Sequence, residues 1–371
     1  MTVSFHTSPP PALASQADAT IDAGERPSRS PTAALLAAGV ACGPQGLGFL
    51  SPSALLALDP AMPVALAILG VLVGLSVAGL RVATPRVLAA ATFEAAVAMA
   101  CVAGAMVFAW RLDLLPAMPS VAEFCTVCAV AAASSLLLPR GDHSKRGALH
   151  LVIEAGVLVP IVLGGVALAV FREASVGRAV LLTAQAIGAV LLLAVAAWLL
   201  VASATNDTER RLFTIAAVMV VGGAADYLSL SALLGGFVAG AAWHGLNGPA
   251  RDALREDVRY VRQPFLAMVL VLAGANAHVS ALAIALAGVY AFARAAGKLM
   301  GALMAARIAP GGVPAGVGRL LLSPGVFGVA FALNALRAVG PSLALALDVV
   351  VLGTIVADAL AGVVRREETA A

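Results

Sequence analysis

LLLSPGVFGVAF, residues 320–331, is an apolar run interrupted by Ser323-Pro324-Gly325. Proline has no N–H to give and glycine lacks the Cβ that steadies a helix, so this triplet breaks a helix where it stands. The break frees backbone carbonyl and amide groups. In hydrocarbon such groups are tolerated only where they are buried in protein or line a cavity. The meaning of the stretch therefore turns on whether its surroundings are membrane.

They are. The chain has 371 residues, of which 61% are hydrophobic and 12% charged, and its mean hydropathy is +0.99, well beyond what a water-soluble core needs. Apolar spans are predicted at 33–50, 63–80, 87–109, 120–138, 149–171, 179–202, 212–225, 229–245, 263–278, 281–306, 318–338 and 343–364, set against the ~20 apolar residues that cross a bilayer, with 212–225 and 229–245 each short for a full crossing. The expected architecture is all-α, a polytopic membrane protein of about twelve transmembrane helices spanning 33–366. Residues 1–32, rich in Pro, Ser, Ala and Asp without an apolar core, read as a disordered cytoplasmic tail, and 367–371 as a short C-terminal tail.

Loop charges support the count. When alternate loops are assigned to opposite sides, one side collects all but a handful of the 23 Lys and Arg. By the positive-inside rule that side, with both termini, is cytoplasmic. Merging 212–225 with 229–245 into one bent helix abolishes the bias, so two helices joined by a tight hinge in GGAADYLS are expected, and the loop RDALREDVRYVRQ falls on the cytoplasmic side. The net charge of +3 gives no case for nucleic acid. The four cysteines lie in apolar runs, where a secreted disulfide framework is not expected. Cys125 and Cys128 share a helix face without an evident His or carboxylate partner, and packing is the expected role. No phosphate loop, HExxH or nucleophile-elbow signature gives an enzyme reading a footing.

Six ionisable residues remain at membrane depth: Glu94, Glu154, Asp348, Asp358, Arg294 and Lys298. Such groups are costly in hydrocarbon and should face protein or a water-filled cavity. Glu94 and Asp358 fall toward span ends, where reaching headgroups is the simplest reading. Asp348 is a candidate partner for Arg337 across the last hairpin. Glu154, in LVIEAGVLVPIVL (151–163), and Lys298, too deep to reach the interface comfortably, are the functional candidates. The fourth span carries CTVCAVAAASS (125–135), whose Thr126 and Ser134 suit an unwound stretch that answers the one at Ser323-Pro324-Gly325. Spans 4 and 11 are seven apart and run in opposite directions, as inverted repeats require, with spans 3–5 and 10–12 as the paired halves.

The segments also resemble the monovalent cation:proton antiporter superfamily, in its Kef-type and sodium/hydrogen exchanger branch. AALLAAGVACGPQGLGFLSP is similar to that family's GPSGLG signature, ADYLSLSALLGGFVAGAAW to its glycine-rich helix, QPFLAMVLVLAGANAHVS to the segment that follows, AGKLMGALMAAR to its GKxxGxxxAxR helix, and LLLSPGVFGVAFAL to the place of its PRGE segment. The resemblance implies inverted repeats with two broken helices, a dimerisation bundle and a core bundle, a homodimer, and elevator-like exchange of Na+ or K+ for H+ across a bacterial-type inner membrane, with no cofactor. It implies that Glu154 binds cation and proton alternately, that Lys298 offsets its charge when the cation leaves, and that Thr126, Ser134, Ser323, Pro324 and Gly325 surround the site. The sequence departs from the pattern in three places. The family's acidic pair is reduced to Glu154 in IEAGVLVP, Val326 and Phe327 stand where PRGE has charges, and Ser76 replaces an acid on span 2. A relative that has lost transport and acts as a membrane interaction or regulatory protein is the competing reading, and an uncoupled cation pore a weaker third.

Overall fold

The computed structural model describes residues 31–76, 85–115, 120–135, 147–173, 175–246, 249–309, 318 and 321–370. The described residues form twelve helices in the predicted order. They are α1 (Pro31–Cys42), α2 (Pro52–Ser76, with a 3-10 turn at Asp59–Ala61), α3 (Pro85–Arg111), α4 (Val121–Ala133), α5 (Gly147–Arg172) and α6 (Val176–Ala202). After these come α7 (Asp207–Tyr227), α8 (Ala232–Gly245), α9 (Pro249–Asn276), α10 (Ala281–Ile308), α11 (Val326–Val339) and α12 (Ala344–Ala370). Six are long and apolar enough to cross a membrane. The expected tail 1–32 lies outside the described residues except for its last two, which open α1. Residues 367–370, expected as tail, continue α12.

Of the remaining helices α5 has 26 residues and α7 21, and α1, α4, α8 and α11 have 12 to 14. α4 and α11 have 13 and 14 residues because each stops at or starts from a break. α7 and α8 are separate helices. Ser229, with φ 56, turns the chain between them, and Ser231 caps α8 by accepting the N–H of Leu234. The tight hinge that the loop charges demand is therefore real.

Packing displays the inverted repeat directly. Helices seven apart are counterparts, so a contact between α2 and α8 should have an image between α9 and α1, and both are extensive. Likewise α3 on α5 answers α10 on α12, α4 on α5 answers α11 on α12, and α11 on α5 answers α4 on α12. Helices α3, α4, α5, α10, α11 and α12 make a core body. Helices α1, α2, α7, α8 and α9 make a second body, a panel, and contacts between the two are sparser.

Within each body, close backbone approach rests on small residues. Between lipid-immersed helices there is little hydrophobic drive, so contact depends on fit. Gly297 and Gly301, one turn apart on α10, lie against α3. A Cβ at either would stand 2.8 Å from the Cα of Ala98 or 2.9 Å from the carbonyl oxygen of Glu94. In the panel, Gly70 and Gly74 of α2 meet Gly236 and Gly240 of α8 in the same manner. Large apolar side chains such as Leu192, Phe108 and Phe292 are exposed on the outer surface of the bundle, the face that lipid covers. The protein is a multi-pass membrane protein.

The side assignment also has a geometric check. Loops near residues 59, 172, 226, 278 and 339 should share one face, and side chains from these regions touch: Arg337 with Asp59 and Asp226, Arg172 with the carbonyl of Ser229, Asp348 with the N–H of His278. At the other face Arg210 and Arg211 of α7 meet Asp257 of α9.

Candidate functional site

Two broken segments cross inside the core body. α4 ends at Ala133, and Ser134 turns extended, with φ −70 and ψ 141. From the other direction Ser323-Pro324-Gly325 leads into α11, with Gly325 also extended. Ser135 and Pro324 pair as an isolated antiparallel bridge. The Ser134 hydroxyl reaches the carbonyls of Ala131 at 3.1 Å and Gly325 at 3.3 Å, and accepts the N–H of Gly328 at 3.0 Å. Ser135 donates to the carbonyl of Leu321 at 3.4 Å. The strands approach so closely that a Cβ on Gly328 would fall 2.6 Å from the Ser134 oxygen, and one on Gly325 would fall 2.9 Å from the Ser135 nitrogen.

α10 supplies the charges. Arg294 and Lys298 are one helical turn apart and so share a face. The Arg294 guanidinium donates to the carbonyl of Leu322 and to that of Ser134, both at 2.7 Å, and so fastens one break to the other. The Lys298 ammonium donates to the Ala133 carbonyl at 2.6 Å and lies 3.0 and 3.3 Å from the two carboxylate oxygens of Glu94 on α3. Glu94, Arg294 and Lys298 are all 1% exposed or less, so their charges must be answered by protein. The ammonium sits at the C-terminal end of α4, where freed carbonyls present negative potential. That helix end and Glu94 together compensate it.

The structure therefore corrects two sequence readings. Glu94 does not reach headgroups; the Gly297/Gly301 contact draws α3 against α10 and buries it as the partner of Lys298. Asp348 does not pair with Arg337. It accepts the N–H of His278 at 2.7 Å, while Arg337 holds Asp59 at 2.7 and 3.2 Å. Asp358 is likewise buried.

The other predicted residues divide. Ser134, Ser323, Pro324 and Gly325 belong to the crossing. Thr126 is two turns before the break and gives its hydroxyl to the carbonyl of Ala122 at 2.7 Å. Glu154 lies in α5, and its side chain lies outside the described residues. Two residues on, a Cβ at Gly156 would stand 3.5 Å from the Ala133 carbonyl oxygen, so this turn of α5 passes the crossing. Arg294 and Glu94 were visible in the sequence as charges at depth. The spacing of Arg294 four residues before Lys298, above the glycines at 297 and 301, was the signal that α10 presents both charges to one packed neighbour.

Chemically, the crossing gathers hard oxygen donors, main-chain carbonyls beside a carboxylate, in a dry setting. That donor set suits a small cation. Here the protein's own guanidinium and ammonium groups engage it.

The sodium proton antiporter MjNhaP1 from Methanocaldococcus jannaschii, solved at pH 8, superposes with a TM-score of 0.61 at 15% identity, covering 89% of each chain. The chain has the fold of a cation:proton antiporter. The expectation drawn from the five resembling segments is met at the level of fold. No family model matches the sequence, and no curated protein matches it.

Proposed function

We propose that the protein exchanges a monovalent cation, Na+ or K+, for protons, by elevator-type alternating access in which the core body moves against the panel. The observation that carries this reading is the crossing, where two helix breaks, a buried carboxylate and two buried cationic side chains meet within an antiporter fold. Glu154 binds cation and proton in turn, on a helix that runs past the crossing. Lys298 supplies the positive charge that the site needs when the cation is gone, and Arg294 keeps the breaks in register while the site changes occupancy. Cation and proton each neutralise the one carboxylate, which makes the two ligands competitors. The protein works as a homodimer in the inner membrane with both termini cytoplasmic.

The test is pH-gradient collapse in everted vesicles on addition of Na+, K+ or Li+. Exchange in the wild type that Glu154→Ala abolishes is expected; exchange retained by the variant would remove Glu154 from the site. The second reading, a non-transporting relative that serves as a membrane interaction or regulatory protein, draws on one specific observation: the carbonyls of Ala133, Ser134 and Leu322 already accept fixed protein donors. A well-folded wild type that answers to no cation would favour it.

A further inference from the structure

Where the core body and panel meet on the Arg337 face, the ties between them are ionic and half wet. Arg337, at the end of α11 in the core, grips both carboxylate oxygens of Asp59 in the turn within α2. It also stands 3.5 Å from Asp226 at the end of α7, and both acids belong to the panel. Arg172, ending α5 in the core, donates to the panel carbonyl of Ser229 and, at 3.0 Å, to Ala338 beside Arg337. Asp348 of the core takes the N–H of His278, in the loop that joins α9 of the panel to α10 of the core. Beside them, and partly open to the same side, lies a cavity of about 440 Å3 along the seam, lined by Gln45, Asp59, Met62 and Asn276 from the panel and by Leu333 and Arg337 from the core.

We propose that these contacts form a latch that holds this end of the seam together, with Arg337 as its bolt, and that the cavity, already partly open to this side of the membrane, widens when Arg337 leaves Asp59 and Asp226. The proposal rests on the reading that the two bodies move against each other. Its energetics suit a latch. The Asp59 and Asp226 side chains are each 50% exposed, so water re-solvates them as the pair parts and the contact is reversible. Arg337 is the residue shared by both acids, and its loss releases two panel elements at once.

The experiment places a cysteine at Asn276 and measures its labelling by a membrane-impermeant maleimide in right-side-out vesicles, whose outer surface carries this face, read by mass spectrometry at residue 276. Arg337→Gln should label roughly fivefold faster than the Arg337 parent, the counterpart of losing a half-exposed ion pair worth about 1 kcal/mol. Asp59→Asn/Asp226→Asn should match it by removing the other half of the same contact, and Arg337→Lys should return labelling toward the slow rate. Unchanged labelling in both Arg337→Gln and the double variant would overturn the latch. Cation-driven gradient collapse is followed in everted vesicles carrying the same variants. Its absence from every variant while labelling still accelerates would remove the antiport reading and leave the latch standing.

Discussion

Arg294 and Arg337 each join two parts of the molecule, yet they do so in opposite media. Arg294 is 1% exposed and donates to two main-chain carbonyls inside the core body. Arg337 has a side chain 17% exposed and binds carboxylates that are half in water, across the seam between bodies. A buried charge whose partner is withdrawn is left without solvent, so the crossing is fixed; a wet ion pair that parts is rehydrated, so the seam is adjustable. The comparison teaches where motion belongs in this fold. In the proposed exchange the breaks would travel as a rigid piece, and the faces that slide would be held by contacts water can replace.

The most severe way to break the comparison is to strand a charge at the crossing. Lys298→Ala leaves Glu94 buried without its cation and should cost about 3–5 kcal/mol, read as a large fall in thermal unfolding temperature in detergent. Pairing it with Glu94→Gln should recover most of the loss, because the stranded charge is then gone. A double variant as unstable as the single one would show that Lys298 matters for packing and not for charge balance.

Next comes a steric test. Gly328→Ala inserts a methyl group 2.6 Å from the Ser134 oxygen and should cost about 1–3 kcal/mol through overpacking. Ser134→Gly in the same chain should relieve part of it. Melting temperatures of the two variants check whether the crossing is as rigid as its hydrogen bonds imply.

The smallest effect is expected at the seam. Asp59→Asn should change stability by less than about 1 kcal/mol, and the difference from wild type should shrink as salt is raised from ~0.01 to ~1 M, since exposed pairs are screened. The Lys298→Ala penalty should barely respond to the same salt series. Equal salt sensitivity at the two places would erase the distinction between dry and wet fastening.

Much of this architecture was legible because membrane insertion writes itself into composition. Apolar lengths and loop arginines predicted twelve helices and a hinge within GGAADYLS, Ser323-Pro324-Gly325 announced a break, and the Thr, Ser and Cys of CTVCAVAAASS marked the oppositely directed span that answers it. The partners of buried charges were not legible in the same way. Which carboxylate Lys298 meets depends on the rotation and approach of α3 against α10, set by the glycines at 297 and 301, and a linear reading placed Glu94 toward a span end, where no partner in α10 was expected. The pairing expected between Asp348 and Arg337 failed for a related reason. Proximity within one hairpin was outweighed by the inverted repeat, which folds the turn of Asp59 and the end of α7 onto the tip of α11.

The most direct test of the central claim is made in proteoliposomes of purified protein carrying an imposed pH gradient, with Na+, K+ and Li+ added in turn to wild type and to Glu154→Ala. Exchange at the crossing predicts that at least one cation collapses the gradient in wild type and that none does so in the variant. A wild type that is folded, reconstituted and silent to all three would contradict it.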